Sequence, residues 1–156
     1  MSNDILESLK DLVNALPESS RLLGLDVGSK TIGMAISDSN LKVATAIKTI
    51  NRSKFREDIK KLKAEILHRS VGGIVIGLPI SMNGSEGPAC QSIRQFALNI
   101  APEVQTNIAF WDERLSTSAI ERFLTKEVDM SRRKRRQVVD KLAATYILQG
   151  AIDSLK

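Results

Sequence analysis

Apolar positions change their period along the chain, and each change marks an element. Ile5, Leu6, Leu9, Leu12, Val13 and Leu16 recur at helical spacing, predicting an amphipathic helix over residues 4–16 that Pro17-Glu18-Ser19-Ser20 ends. Residues 22–27, apolar but for Asp26, predict a buried strand. Gly28-Ser29-Lys30-Thr31 then turns tightly into a second strand over 32–37, and Asp38-Ser39-Asn40 turns into a third around 42–50. Strands joined by such short turns pair antiparallel, because a parallel link needs a crossover. A helix starting near Ser53 carries Phe55, Ile59, Leu62, Ile66 and Leu67 on one face. Gly72-Gly73-Ile74-Val75-Ile76-Gly77 reads as a short strand covered on both faces. A loop over 78–88 precedes a helix to about residue 100, and residues 107–111 form a fifth strand. Ser116 is placed to cap a helix running to residue 124, and residues 127–132 lead into a last helix.

After the N-terminal helix the order is therefore β-β-β-α-β-α-β-α-α. An antiparallel meander followed by right-handed βαβ units gives the α/β class, a mixed sheet flanked by helices. Residues 21–156 read as one domain, and residues 1–20 as an amphipathic helical extension of it. In such a sheet, ligands gather beyond the carboxyl ends of the parallel strands. Asp26 ends the first strand, the loop after Gly77 follows the fourth, and Glu113 follows the fifth. All three open on one edge.

The 156 residues, with 42% apolar and 26% charged positions, are those of a globular domain able to bury a core. No run approaches the apolar length of a membrane span, and the N-terminus lacks the basic-then-apolar order of a signal peptide. The lone Cys90 cannot close an internal disulfide, which suits a reducing cytoplasm. Net charge is +5, unevenly spread: Arg132, Arg133, Lys134, Arg135 and Arg136 are consecutive. Such a cluster attracts phosphate by releasing counterions, pointing to a nucleic acid. A looser group, Arg52, Lys54, Arg56, Lys60, Lys61 and Lys63, reads as a solvated helix face.

Three acids stand in these segments. Asp26 belongs to Asp26-Val27-Gly28-Ser29-Lys30-Thr31-Ile32-Gly33, whose glycines let a ligand come close. Sugar-kinase and actin-like ATPases use a similar hairpin, but they need two such domains and this chain is too short for both. Gly77-Leu78-Pro79 with Asn83-Gly84-Ser85 offers backbone N–H groups and hydroxyls to phosphates. In Asp112-Glu113-Arg114, strand alternation alone leaves open which acid faces Asp26, and Arg114 either steadies a carboxylate or binds phosphate. Asp140 lies at the margin of a helical stripe of Val139, Leu142, Ala143, Tyr146, Ile147 and Gly150. Converging carboxylates are the preferred ligands of Mg²⁺ and Mn²⁺, and two such ions suit phosphodiester hydrolysis. No His/Cys set for zinc and no Walker loop is present.

Asp26-x-Gly28-x-Lys30-x-Ile32-Gly33-x-Ala35-x-Ser37-Asp38, Gly77-Leu78-Pro79 with Asn83-Gly84-Ser85, Asp112-Glu113-Arg114-Leu115-Ser116-Thr117 and Asp140-x-x-Ala143-Ala144-x-x-Ile147-Leu148-Gln149 occur in that order. Together they resemble the YqgF family, bacterial proteins of the RNase H-like fold described as Holliday-junction resolvases and as nucleases maturing the 5′ end of pre-16S ribosomal RNA. The resemblance runs from about residue 22 to residue 152. It implies a five-stranded sheet of order 3-2-1-4-5. It also implies that Asp26, Glu113 and Asp140 are catalytic metal ligands for Mg²⁺ or Mn²⁺, choosing Glu113 over Asp112. Lys30, Asn83, Ser85, Arg114, Arg132, Arg133, Arg135 and Arg136 are the expected nucleic-acid contacts.

The expectation is a cytoplasmic, metal-dependent endonuclease acting on structured RNA, foremost the ribosomal RNA precursor, as a monomer or homodimer without membrane attachment. The alternatives are a Holliday-junction resolvase cutting branched DNA and a nucleic-acid-binding factor that cuts nothing.

Overall fold

A computed structural model describes residues 5–115 and 132–156; the side chains at 115 and 132–141 fall outside it. Five strands form one sheet: β1 (Arg21–Val27), β2 (Thr31–Ser37), β3 (Ala44–Asn51), β4 (Val71–Leu78) and β5 (Asn107–Asp112). Their order is β3-β2-β1-β4-β5. The first three strands pair antiparallel, and β4 joins β1 in parallel, with β5 parallel beyond it. This is the mixed RNase H-like sheet expected from the meander and its crossovers.

Alternation along each strand sends side chains to two covered faces. Leu23, Leu25, Ile74, Ile76 and Ile108 join one core under α2 (Phe55–His68) and α3 (Pro88–Val104). Leu22, Val75 and Ala109 join the other, under α1 (Leu9–Asn14) and the last helix, α4 (Arg132–Asp153). With both faces covered, β1 and β4 read as continuous apolar runs, not alternating ones.

α4 comes unusually close to the sheet at one point. A Cβ on Gly24 would lie 2.8 Å from the Leu148 Cβ and 3.2 Å from the Ala144 carbonyl oxygen. Only glycine in β1 and a small residue on the helix permit that approach. Gln149 fixes the helix's far end: its carboxamide oxygen accepts from the Ala44 amide at 2.8 Å, and its nitrogen donates to the Lys42 carbonyl. The start of α4 therefore points toward the carboxyl edge of the sheet.

Four expectations need correction. The N-terminal helix is shorter than 4–16: Ser8 caps α1 through the Asp11 amide at 3.1 Å, and before it Ile5 bridges Ile108. Ile5 and Leu6 thus add a short strand-like contact to the β5 edge, where unpaired backbone groups offer better satisfaction than an isolated helical turn. α3 runs past residue 100 to Val104, burying Ala101 and Val104 and ending on Gln105 at φ 51°. In α2 the packing stripe is Ile59, Leu62 and half-buried Ile66, while Leu67 is 84% exposed and Phe55 41%. The α4 stripe is turned by about one position, with Ala144, Ile147, Leu148, Ala151 and Ile152 buried. Close contact at Gly24 selects the small Ala144 as its centre. The helix expected from Ser116 to 124 and the link over 127–132 lie outside the described residues, save for Arg132, which opens α4.

Candidate active site at the carboxyl edge of the sheet

Asp26 falls on the same face of β1 as Gly24, two residues nearer the carboxyl edge, and so on the α4 side. Extending the β1–β4 pairing of Leu25 with Ile76 brings Asp26 beside Gly77, which pairs in turn with Trp111 of β5. Trp111 packs in the α4-side core, and Glu113, two residues on in a single 3-10 turn, comes to the same side. Asp112 belongs to the other side with Phe110 and folds back onto its neighbour: the Arg114 Nε donates to it at 2.8 Å. Once the face covered by α4 is known, alternation distinguishes the two acids.

β1 and β5 are one strand apart, roughly 10 Å, too far for ordinary side chains to meet across an intervening one. Gly77 removes the obstacle. A Cβ there would lie 2.9 Å from both the Cγ and Cδ of Glu113 and 2.5 Å from the Ile147 Cδ1. The glutamate therefore lies over bare backbone toward Asp26, and the Ile147 Cδ1 approaches the same glycine. Burial, then the charge of Asp26, then that of Asp112 push the Glu113 carboxyl up from 4.5 to about 7. A carboxylate pressed into a half-buried site beside another is a strong attractor for a cation.

Asp140 lies on α4 one turn before Ala144, so its backbone shares the helical face centred on that residue and stands about 6 Å nearer the helix start. Its side chain lies outside the described part of the structure, as do those of Arg132, Arg133, Arg135 and Arg136. Among the described residues, no group of three or more Asp, Glu, His or Cys side chains comes together.

The expected nucleic-acid contacts divide. Lys30 is exposed at the tip of the β1–β2 turn. Asn83 and Ser85 are exposed in the loop after β4 but bond each other: the Ser85 hydroxyl donates to the Asn83 carboxamide oxygen at 2.7 Å and the Ser85 amide at 3.0 Å. Their side chains thus shape the loop. Arg114 is tied to Asp112, whose carboxyl it holds below the usual carboxylate range.

Two residues with site roles escape the sequence patterns. Gly77 sits in a quoted motif, yet nothing local reveals that its missing side chain gives Glu113 its path. Arg52 reads in the sequence as part of a solvated basic face, whereas its guanidinium donates to the Gly28 carbonyl at 2.7 Å and lies over the Phe96 ring. It braces the turn that follows Asp26. No spacing signal marks it, because it acts across strands.

Comparison with known proteins agrees with this architecture. A family model described as RuvX: Holliday junction resolvase matches residues 20–154. A protein of Paramagnetospirillum magneticum named a candidate pre-16S rRNA nuclease is 54% identical over 144 residues, covering 92% of each chain. One of the same name from Ruegeria pomeroyi is 51% identical, covering 97% of this chain and 98% of its own. Among solved structures, the Fowlpox virus resolvase in complex with Holliday junction DNA superposes with a TM-score of 0.50 at 12% identity, over 86% of this chain and 98% of that one. That likeness is one of fold.

Proposed function

Because the chain belongs to the RuvX (YqgF) family, we propose that it is a metal-dependent endonuclease that processes the 5′ end of pre-16S ribosomal RNA in the cytoplasm. The observation that carries this reading is the Glu113 carboxylate lying over Gly77 at the carboxyl edge, near enough to Asp26 to feel its charge. Relatives at about half identity over nearly the full chain bear the corresponding name.

The donor chemistry fits a hard divalent cation: two carboxylates with only oxygen ligands, one of them raised by the other's charge. Asp26, Glu113 and, from the first half of α4, Asp140 would hold Mg²⁺ or Mn²⁺. When bound, such ions supply a nucleophilic hydroxide and stabilise the leaving oxygen of the phosphodiester. The protein's own part is positioning. β1 and β5 hold the two acids on rigid strand ends, and Arg52 fixes the turn after Asp26. Near neutral pH, Glu113 holds a proton for part of the time and must release it before it can act as a ligand.

The test is cleavage of a pre-16S 5′ precursor and of a four-way DNA junction, each with Mg²⁺ and with Mn²⁺. Metal-dependent cutting of the RNA at a defined position supports the proposal; no cutting of RNA overturns it. The description of the family model favours one second reading, a Holliday-junction resolvase. Symmetric cleavage of a junction needs two sites, so a strictly monomeric state in light scattering would dismiss it.

A further inference from the structure

At the same carboxyl edge, the side away from α4 carries a patch that the carboxylate site does not use. The Arg52 amide donates to the Lys30 carbonyl at 2.8 Å, so the chain leaving β3 lies directly against the tip of the β1–β2 turn. The next residues are Ser53, Lys54, Phe55 and Arg56, which open α2. Lys30, Lys54 and Arg56 are exposed, and among the described residues none of them makes an ion pair. The two acids of the first helical turn are already engaged. Asp58 accepts from the Ser53 amide at 3.0 Å, and Glu57 stands 3.7 Å from the Lys60 ammonium.

Between these cations stands Phe55, 41% exposed. With Ile32, Ile59 and Phe96 its ring lines a small apolar pocket. A large aromatic left this open at the edge of a pocket, between cations that make no ion pair among the described residues, is poorly explained by packing alone. It has the composition of a platform for an unstacked base, with phosphates on the lysines and arginine. The patch is continuous with the carboxylate pair: Arg52 links it to Gly28, two residues beyond Asp26.

We propose that Phe55, with Lys30, Lys54 and Arg56, binds a single-stranded RNA segment next to the phosphodiester that is cut. The inference rests on the nuclease reading and deepens it: the substrate would present unpaired nucleotides on this side of the scissile bond. Charge complementarity selects a polyanion, and the single aromatic face selects one whose bases are free to stack.

The experiment is fluorescence anisotropy in EDTA, so that binding is read without cleavage. The probes are a fluorescein-labelled 20-nucleotide single-stranded RNA and a blunt RNA duplex. Phe55→Leu keeps an apolar side chain at the pocket that Ile32 and Ile59 also line while removing the stacking face, and a thermal melt checks that it folds. It should weaken single-strand binding about 5- to 100-fold and leave the duplex nearly unchanged, and Phe55→Trp should restore affinity. The double variant Lys54→Gln, Arg56→Gln should flatten the salt dependence of single-strand binding by about 1.4 in logarithmic slope. A folded Phe55→Leu protein that binds the single strand as the wild type does, or loses both probes equally, overturns the proposal and leaves the nuclease reading standing. A wild type that binds neither probe overturns both.

Discussion

Replacing Glu113 by Gln in the metal-free protein should make it more stable at alkaline pH, although the residue is proposed to be essential for activity. The Glu113 carboxyl is held at about 7 against an ordinary 4.5, chiefly by burial and then by Asp26. Holding it ionised in the fold therefore costs at most roughly 3 kcal/mol. Because the value is raised, the folded state keeps this proton more tightly than the unfolded chain. The favourable contribution is complete below about 4.5 and is lost as the pH rises through about 7. Solvent reaching a half-buried group reduces the figure, so a gain of about 2 kcal/mol is expected at pH 8.5, raising Tm by roughly 4–8 °C. The assay is thermal unfolding in EDTA at pH 5 and pH 8.5 for both proteins. The gain should be present at pH 8.5 and fall to about a quarter of that at pH 5. Adding Mg²⁺ or Mn²⁺ at pH 8.5 should stabilise the wild type and not the variant. A variant no more stable than the wild type at pH 8.5, or a gain equal at both pH values, refutes the carboxylate pair as described.

Gly77→Ala should displace Glu113 and Ile147 together, because its Cβ would meet both at under 3.0 Å. It should cost about 1–3 kcal/mol in urea unfolding and remove most metal-dependent cleavage, whereas full activity would show that Glu113 does not pass over Gly77. Arg52→Gln should loosen the turn after Asp26 by losing the bond to the Gly28 carbonyl, at a cost of about 1.5–3 kcal/mol. Amide hydrogen exchange at Gly28, whose N–H donates to the Thr31 carbonyl, should accelerate, and unchanged exchange would count against the brace. Substituting Gln for Arg132, Arg133, Arg135 and Arg136 together should weaken nucleic-acid binding and lower its logarithmic salt slope by up to about 3.6. An unchanged slope would remove the cluster from the binding surface.

Much of this site is legible in the sequence because it depends on topology. Short turns made the first three strands antiparallel, crossovers made the last two parallel, and those facts alone send Asp26, Gly77 and Glu113 to one edge. What stays hidden depends on which face each helix covers. The choice between Asp112 and Glu113 follows from alternation only once α4 is known to lie over Ala109 and Trp111. The buried stripe of α4 lies one position from the local apolar period because the Ala144 backbone packs against a glycine 120 residues earlier in the chain, which no local period records. Phe55 and Leu67 fall on an apolar period in α2, yet both are exposed in the fold. Arg52 looked like part of a solvated charge run because its partner, a backbone carbonyl, has no signature in sequence.

The central claim is that Asp26 and Glu113 hold the metal that cuts RNA, and Asp26→Asn tests it most directly. The substitution keeps size and hydrogen-bonding capacity but removes the charge that both attracts the cation and raises Glu113. Cleavage of a pre-16S 5′ precursor should be metal-dependent in the wild type and abolished in the variant, with binding of the RNA in EDTA retained. A folded Asp26→Asn protein that cuts the precursor at the wild-type rate would contradict the account.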